Sequence, residues 1–170
     1  MLTRFHKIMI VLLAAQVGLA VVTLTRGDDA APLKEHPLLA GFDAAAVTRV
    51  QIATKTGKPI DLVKRGTGWV IASGFDHPVP AAKIDGLLAP IAKLAAATPV
   101  ATQAARYKQL HVADDEFDRK LVVTAGGKDT TLYIGGPVGT RRTALRIAGD
   151  TRVWPVAGVS GYGTGGAVAD

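Results

Sequence analysis

Val47-Thr48-Arg49-Val50-Gln51-Ile52-Ala53-Thr54, followed by Thr56-Gly57-Lys58 and then Ile60-Asp61-Leu62-Val63-Lys64, is the stretch on which the fold turns. Val47, Arg49, Gln51 and Ala53 alternate with Thr48, Val50, Ile52 and Thr54, and a glycine-bearing turn separates the two runs. Period-two alternation of β-branched residues around such a turn predicts a hairpin. The chain turns again at Arg65-Gly66-Thr67-Gly68 and continues into Trp69-Val70-Ile71, so an antiparallel meander is expected.

Downstream the period changes. Ile84, Leu87, Leu88, Ile91 and Leu94 recur at helical spacing, with Pro80 placed to open the helix. Pro90 lies inside this pattern and predicts a kink or an early end, because proline has no N–H to donate. A shorter helix is expected over residues 104–110. From Asp118 the chain reads as strand again: Leu121-Val122-Val123, a Gly126-Gly127 turn, Thr131-Leu132-Tyr133-Ile134, residues 143–147 and residues 152–156. Strands, helix and strands in that order predict an α+β domain, an antiparallel sheet packed on one main amphipathic helix.

Upstream, residues 8–24 form an uncharged apolar run interrupted by Gln16, Gly18 and Thr23. As a helix it spans roughly 25 Å, the short end of what a bilayer core requires. Arg4 and Lys7 precede it, and the charges just behind it sum to a negative value, which orients the N-terminus to the cytoplasm. A removed signal peptide has the same charged start. Its apolar core, however, is about 7–15 residues and ends at a small-x-small site, whereas Asp29 stands two before Ala31. A single uncleaved N-terminal transmembrane helix is therefore expected. Ala14 and Gly18 form a small-xxx-small pair beside the polar Gln16, which makes these three the candidate positions for packing against a neighbouring helix. The expected organisation is a cytoplasmic N-terminus and anchor over residues 1–26, a linker over 27–41, an exported α+β domain over 42–157 and a Gly-rich tail over 158–170.

The 170 residues suit one domain of ordinary size. Lysine and arginine number 20 against 14 acidic residues, a net charge of +6. Setting aside Arg4, Lys7 and Arg26 halves that excess, too mild for a nucleic-acid footprint. The absence of cysteine excludes thiolate zinc sites, iron–sulfur ligation, thiol nucleophiles and disulfides.

The search for chemistry finds no complete constellation. His6, His36, His77 and His111 include no i, i+4 pair, and no metal is expected. Asp114, Glu116 and Asp118 alternate like the start of a calcium loop, but Arg119 stands where glycine is required and Ala125 where the closing glutamate belongs; a solvated acidic turn is expected. Gly158-Val159-Ser160-Gly161-Tyr162 lacks the last glycine of a nucleophile elbow. Ser73 and His77 share a loop without an identifiable acid to orient the histidine. Gly135-Gly136-Pro137-Val138-Gly139 follows a strand, but proline removes a donor and no helix follows, so a turn between strands is expected. No cofactor is expected.

One basic feature is a candidate contact. Arg142, Ala144, Arg146 and Ala148 alternate with Thr143, Leu145 and Ile147, which predicts guanidiniums on one strand face and Leu145 and Ile147 toward the core. With Arg141 adjacent and Arg152 on the next strand, this face suits an acidic protein surface or lipid headgroups. Trp69 and Trp154 are expected in the sheet core.

The runs Gly41-Phe42-Asp43-Ala44-Ala45-Ala46-Val47-Thr48-Arg49-Val50, Gly68-Trp69-Val70, Lys83-Ile84-Asp85-Gly86-Leu87-Leu88, Phe117-Asp118-Arg119-Lys120-Leu121 and Thr131-Leu132-Tyr133-Ile134-Gly135 resemble the bacterial family known as domain of unknown function 4340. The resemblance covers roughly residues 42–156. It implies an N-terminal membrane anchor, an exported α+β domain and an accessory role beside ABC-2-type transport or gliding-motility components, and it carries no catalytic residues. The expected function is a non-catalytic, single-pass subunit of a larger integral membrane protein complex at the bacterial inner membrane, its main domain periplasmic and in the company of the lipid bilayer. The competing expectation is a tethered periplasmic domain that binds or transforms a small ligand.

Overall fold

The structure is a computed structural model and describes residues 9, 12–13, 15–17 and 33–159. The chain divides into two units, Met1–Leu33 and Lys34–Asp170. In the first, Met9, Leu12, Leu13, Ala15, Gln16 and Val17 are helical and exposed. Among the described residues no helix is long and apolar enough to cross a membrane. Most of the expected span over residues 8–24, Ala14 and Gly18 included, lies outside the described residues, as do residues 160–170 of the expected tail.

The second unit is built on antiparallel strands: β1 (His36–Pro37), β2 (Val47–Thr54), β3 (Ile60–Arg65), β4 (Gly68–Ile71), β5 (His77–Val79), β6 (Ala95–Ala96), β7 (Arg119–Ala125), β8 (Lys128–Pro137), β9 (Thr143–Ile147) and β10 (Val153–Val156). Eight of them form one sheet in the order β10-β9-β8-β7-β2-β3-β4-β5, and β1 pairs with β6. The main helix α1 spans Ala81–Ala92. An antiparallel sheet carrying one main helix is the predicted α+β architecture.

Local chemistry sets the connections. Gly126 and Gly127 both have positive φ, 57° and 77°, between the paired Ala125 and Lys128. That is the two-residue turn whose twist matches the flanking strands, and glycine adopts it without a Cβ penalty. In α1, Ile84, Leu88 and Ile91 are buried. The helix runs through Pro90 and stops at Ala92, and Leu94 lies beyond it yet stays 3% exposed in the same core.

The pleat assigns each strand residue to a face. Val50, Leu62, Trp69, Leu121, Val123, Leu132, Ile134, Leu145 and Trp154 share one core with the helix residues. Tyr133, Ala144 and Val153 point the other way and pack with Ala101, Val112, Tyr107, Leu110 and Phe117 from the segment before β7. The β8–β10 half of the sheet is therefore covered on both faces. Behind β2 and β3 the outer face is polar, and Arg49 clasps Asp61 with Nε–Oδ1 2.8 Å and Nη2–Oδ2 2.7 Å.

Three expectations are corrected. Residues 34–41 are not all linker: β1 pairs with β6, the Leu38 N–H donates to the Leu94 carbonyl at 2.9 Å, and Leu38 and Leu39 pack on the core. Residues 104–110 hold only a 3₁₀ turn, Ala104–Arg106. The chain reverses there at His111 (φ 54°), and the Leu110 carbonyl accepts from Gly136 rather than continuing a helix. Finally, Gly135-Gly136-Pro137 is not a turn but the end of β8, with an irregular register between Ile134 and Pro137.

Candidate functional site

β9 was expected to carry guanidiniums on a solvated face. Because the segment before β7 covers that face, Ala144, Leu145 and Arg146 are all buried. Arg146 is 6% exposed. Its guanidinium stands 4.7 Å from the Tyr107 ring centroid and 4.4 Å from that of Tyr133. Nε donates to the Val112 carbonyl at 2.7 Å and Nη2 to Asp114 Oδ1 at 2.6 Å. Stacked, hydrogen-bonded and charge-paired, Arg146 fastens the covering segment to the sheet and is withdrawn from any outside partner. The Arg146 hydrogen bond, joined by Tyr133, holds the Asp114 carboxyl below the usual range.

The other three arginines stay at the surface. Arg142 Nη2 lies 3.3 Å from Glu35 Oε1. Arg152 precedes β10, with Nε 2.9 Å from Asp150 Oδ1 and its guanidinium 4.9 Å from the Trp154 ring. The Asp150 carboxyl is lowered, chiefly by that arginine. Arg141 sits in the β8–β9 connection at φ 58° and, among the described residues, has no carboxylate partner. The four arginines therefore do not form one face: Arg141 and Arg142 share a turn, Arg146 is interior, and Arg152 lies at the opposite end of β9. The acidic turn is satisfied internally, with Asp115 on Lys108 at 2.8 Å and Asp118 on His111 at 2.8 Å. Among the described residues no group of His, Cys, Asp or Glu could hold a metal ion. Trp69 and Trp154 are buried in the core as expected.

Among the described residues, one arginine outside the candidate motifs has buried polar atoms without a partner. Arg119, at the start of β7, is 7% exposed, and its buried Nε and Nη1 have no hydrogen-bond partner among the described residues. Arg119 is in phase with Leu121 and Val123, so it points to the helix-covered face between Thr54 and Ile134. That phase was readable in the sequence. Burial lowers the guanidinium's pKa, yet arginine stays charged in proteins. A cation buried without a partner is costly. Arg119→Met, which keeps the length and removes the charge, is expected to stabilise the domain by about 1–3 kcal/mol, read as a higher urea midpoint. A lower midpoint would show that the guanidinium has an anionic partner in the protein as it exists.

Fold and site together define an α+β module, an antiparallel sheet carrying one main helix. The chain belongs to the family described as Domain of unknown function (DUF4340), whose model matches residues 69–165, from β4 through β10 and beyond. No curated protein and no solved structure matches the chain.

Proposed function

We propose that the chain is a non-catalytic, membrane-tethered accessory subunit. Residues 8–24 anchor it in the inner membrane with the N-terminus in the cytoplasm. The domain that follows stands in the periplasm and is presented to an integral membrane protein complex of the ABC-2-type transport kind. One observation carries the reading: Met9, Leu12, Leu13 and Val17 are helical, apolar and 54%, 54%, 62% and 56% exposed. Side chains of that kind gain by transfer to lipid or to a partner helix. In cells, the full chain is expected in the alkali-washed membrane fraction, and alkaline phosphatase fused to its C-terminus is expected to be active. Purified in mild detergent, it should bring integral membrane proteins with it in fixed ratio. Recovery from the soluble fraction, or alone from detergent, defeats the proposal.

Arg119 supports a second reading, a tethered domain that takes a small anion against the helix-covered face of the sheet. On that reading, carboxylates or phosphates raise the melting temperature of the detergent-purified chain, and Arg119→Met removes the rise.

A further inference from the structure

Strand directions bring the β2–β3, β4–β5 and β8–β9 connections to one end of the large sheet. The domain's first residues are at that end too, because Glu35 is paired with Arg142 of the β8–β9 connection. The β4–β5 connection is tied to the start of β3: the Ala72 N–H donates to the Asp61 carbonyl at 2.8 Å, and the Asp61 N–H to Ser73 Oγ at 3.1 Å.

The β4–β5 connection ends in Gly74-Phe75-Asp76-His77, closed by the His77 N–H donating to the Gly74 carbonyl at 3.3 Å. Phe75 and Asp76 both have φ 57°. Two left-handed residues in succession suit Asn-Gly; a bulky phenylalanine there is strained and persists only where surrounding contacts hold it. Here the Arg65–Asp76 ion pair at 2.9 Å helps to hold it. What the strain achieves is display, since Phe75 is wholly exposed. Within residues 34–159, Phe75 and Ile60 are the large apolar side chains left exposed, and both lie at this end. Lys58, two positions before Ile60, and Arg141 stand at the same end with no carboxylate partner among the described residues, whereas Lys55 pairs with Glu116 at 3.7 Å and Arg142 with Glu35 at 3.3 Å.

We propose that this end of the sheet rests on the membrane surface, with the Phe75 ring and Ile60 at the acyl boundary and Lys58 and Arg141 among anionic headgroups. Separate apolar side chains beside two cations that have no carboxylate partner among the described residues match an interfacial contact, in which each apolar side chain enters alone and each of these cations meets a phosphate. The proposal rests on the tethered reading, which keeps the domain close to a bilayer. Residues 25–33, even fully extended, reach only about 30 Å.

The chain has no cysteine, so one introduced thiol is a unique label position. The full chain carrying Phe75→Cys, or Thr67→Cys in the β3–β4 turn at the other end, is spin-labelled and reconstituted into nanodiscs containing phosphatidylglycerol. At position 75 the ratio of oxygen to nickel-chelate accessibility is expected to be several-fold higher than at 67. Lys58→Glu should lower it in these discs and not in purely zwitterionic ones. Protein that enters the discs but gives equal, water-like ratios at both positions overturns the docking and leaves the tether standing. A label at 75 shielded from both probes indicates a protein contact and also overturns it. Failure to enter the discs removes the tether and the docking together.

Discussion

Gly135→Ala is expected to destabilise the domain by about 3 kcal/mol or more, a large share of the total stability of a domain this size. Gly135 is buried in β8. A Cβ built there overlaps the Leu110 carbonyl oxygen and lies 2.8 Å from the His111 carbonyl oxygen and 2.8 Å from Val112 Cγ1. Two of these three atoms are backbone, and the Leu110 carbonyl is held in place by the Gly136 N–H at 3.2 Å, so the chain cannot retreat without breaking that bond. Val112 is fully buried and has no room to yield. Gly136→Ala is the control, because nothing lies within 4 Å of its Cβ. It should cost no more than about 1 kcal/mol. Urea unfolding of the two variants measures the difference, and equal midpoints would disprove the close approach of the 110–112 segment to β8.

Arg146→Ala is expected to cost about 3 kcal/mol, through three losses of unequal size. The Val112 carbonyl, on a residue with no exposure, loses its donor and is left buried unpaired. The rings of Tyr107 and Tyr133 lose the plane stacked between them. Asp114 loses its partner but is 76% exposed, so water takes over and this loss is small. Arg146→Lys keeps the charge without the planar fork and is expected to recover less than half of the cost. Asp114→Asn should cost well under 1 kcal/mol, which separates the ion pair from the stack and the Val112 bond. Asp114 has a depressed folded pKa, so its small contribution is present above the ordinary carboxylate range and fades as pH falls through the folded value. Should Asp114→Asn cost as much as Arg146→Ala, the charge pair and not the stack is what holds the segment to the sheet.

These two sites show where sequence reading succeeded and stopped. The alternation in Val47–Thr54, the Gly126-Gly127 pair and the Ile84-Leu88-Ile91 spacing are local signals, and the structure has a strand, a turn and a helix at those positions. The same alternation placed Leu145 correctly in the core. It misplaced Arg146, because strand periodicity separates two faces without saying whether the second is bare. A strand covered on both sides looks half-polar when one of its buried residues is an arginine held by tyrosines some 13 and 39 positions away in the chain. Gly135-Gly136-Pro137 failed for a related reason. Those residues read as a turn by composition, whereas Gly135 is glycine because the backbone of Leu110 passes too close for a side chain.

The sequence by itself determined the meander, the helix, the apolar run at residues 8–24 and the resemblance to the family to which the chain belongs, since each rests on neighbours in the chain. Only the tertiary structure decided that the segment before β7 closes the outer face of β8–β10, that Arg146 is interior while the buried Nε and Nη1 of Arg119 have no hydrogen-bond partner among the described residues, and that Phe75, Ile60, Lys58 and Arg141 come to one end of the sheet. Those outcomes depend on which strands pair and which surfaces are thereby hidden from water, and pairings between residues far apart in the chain leave no local pattern to read.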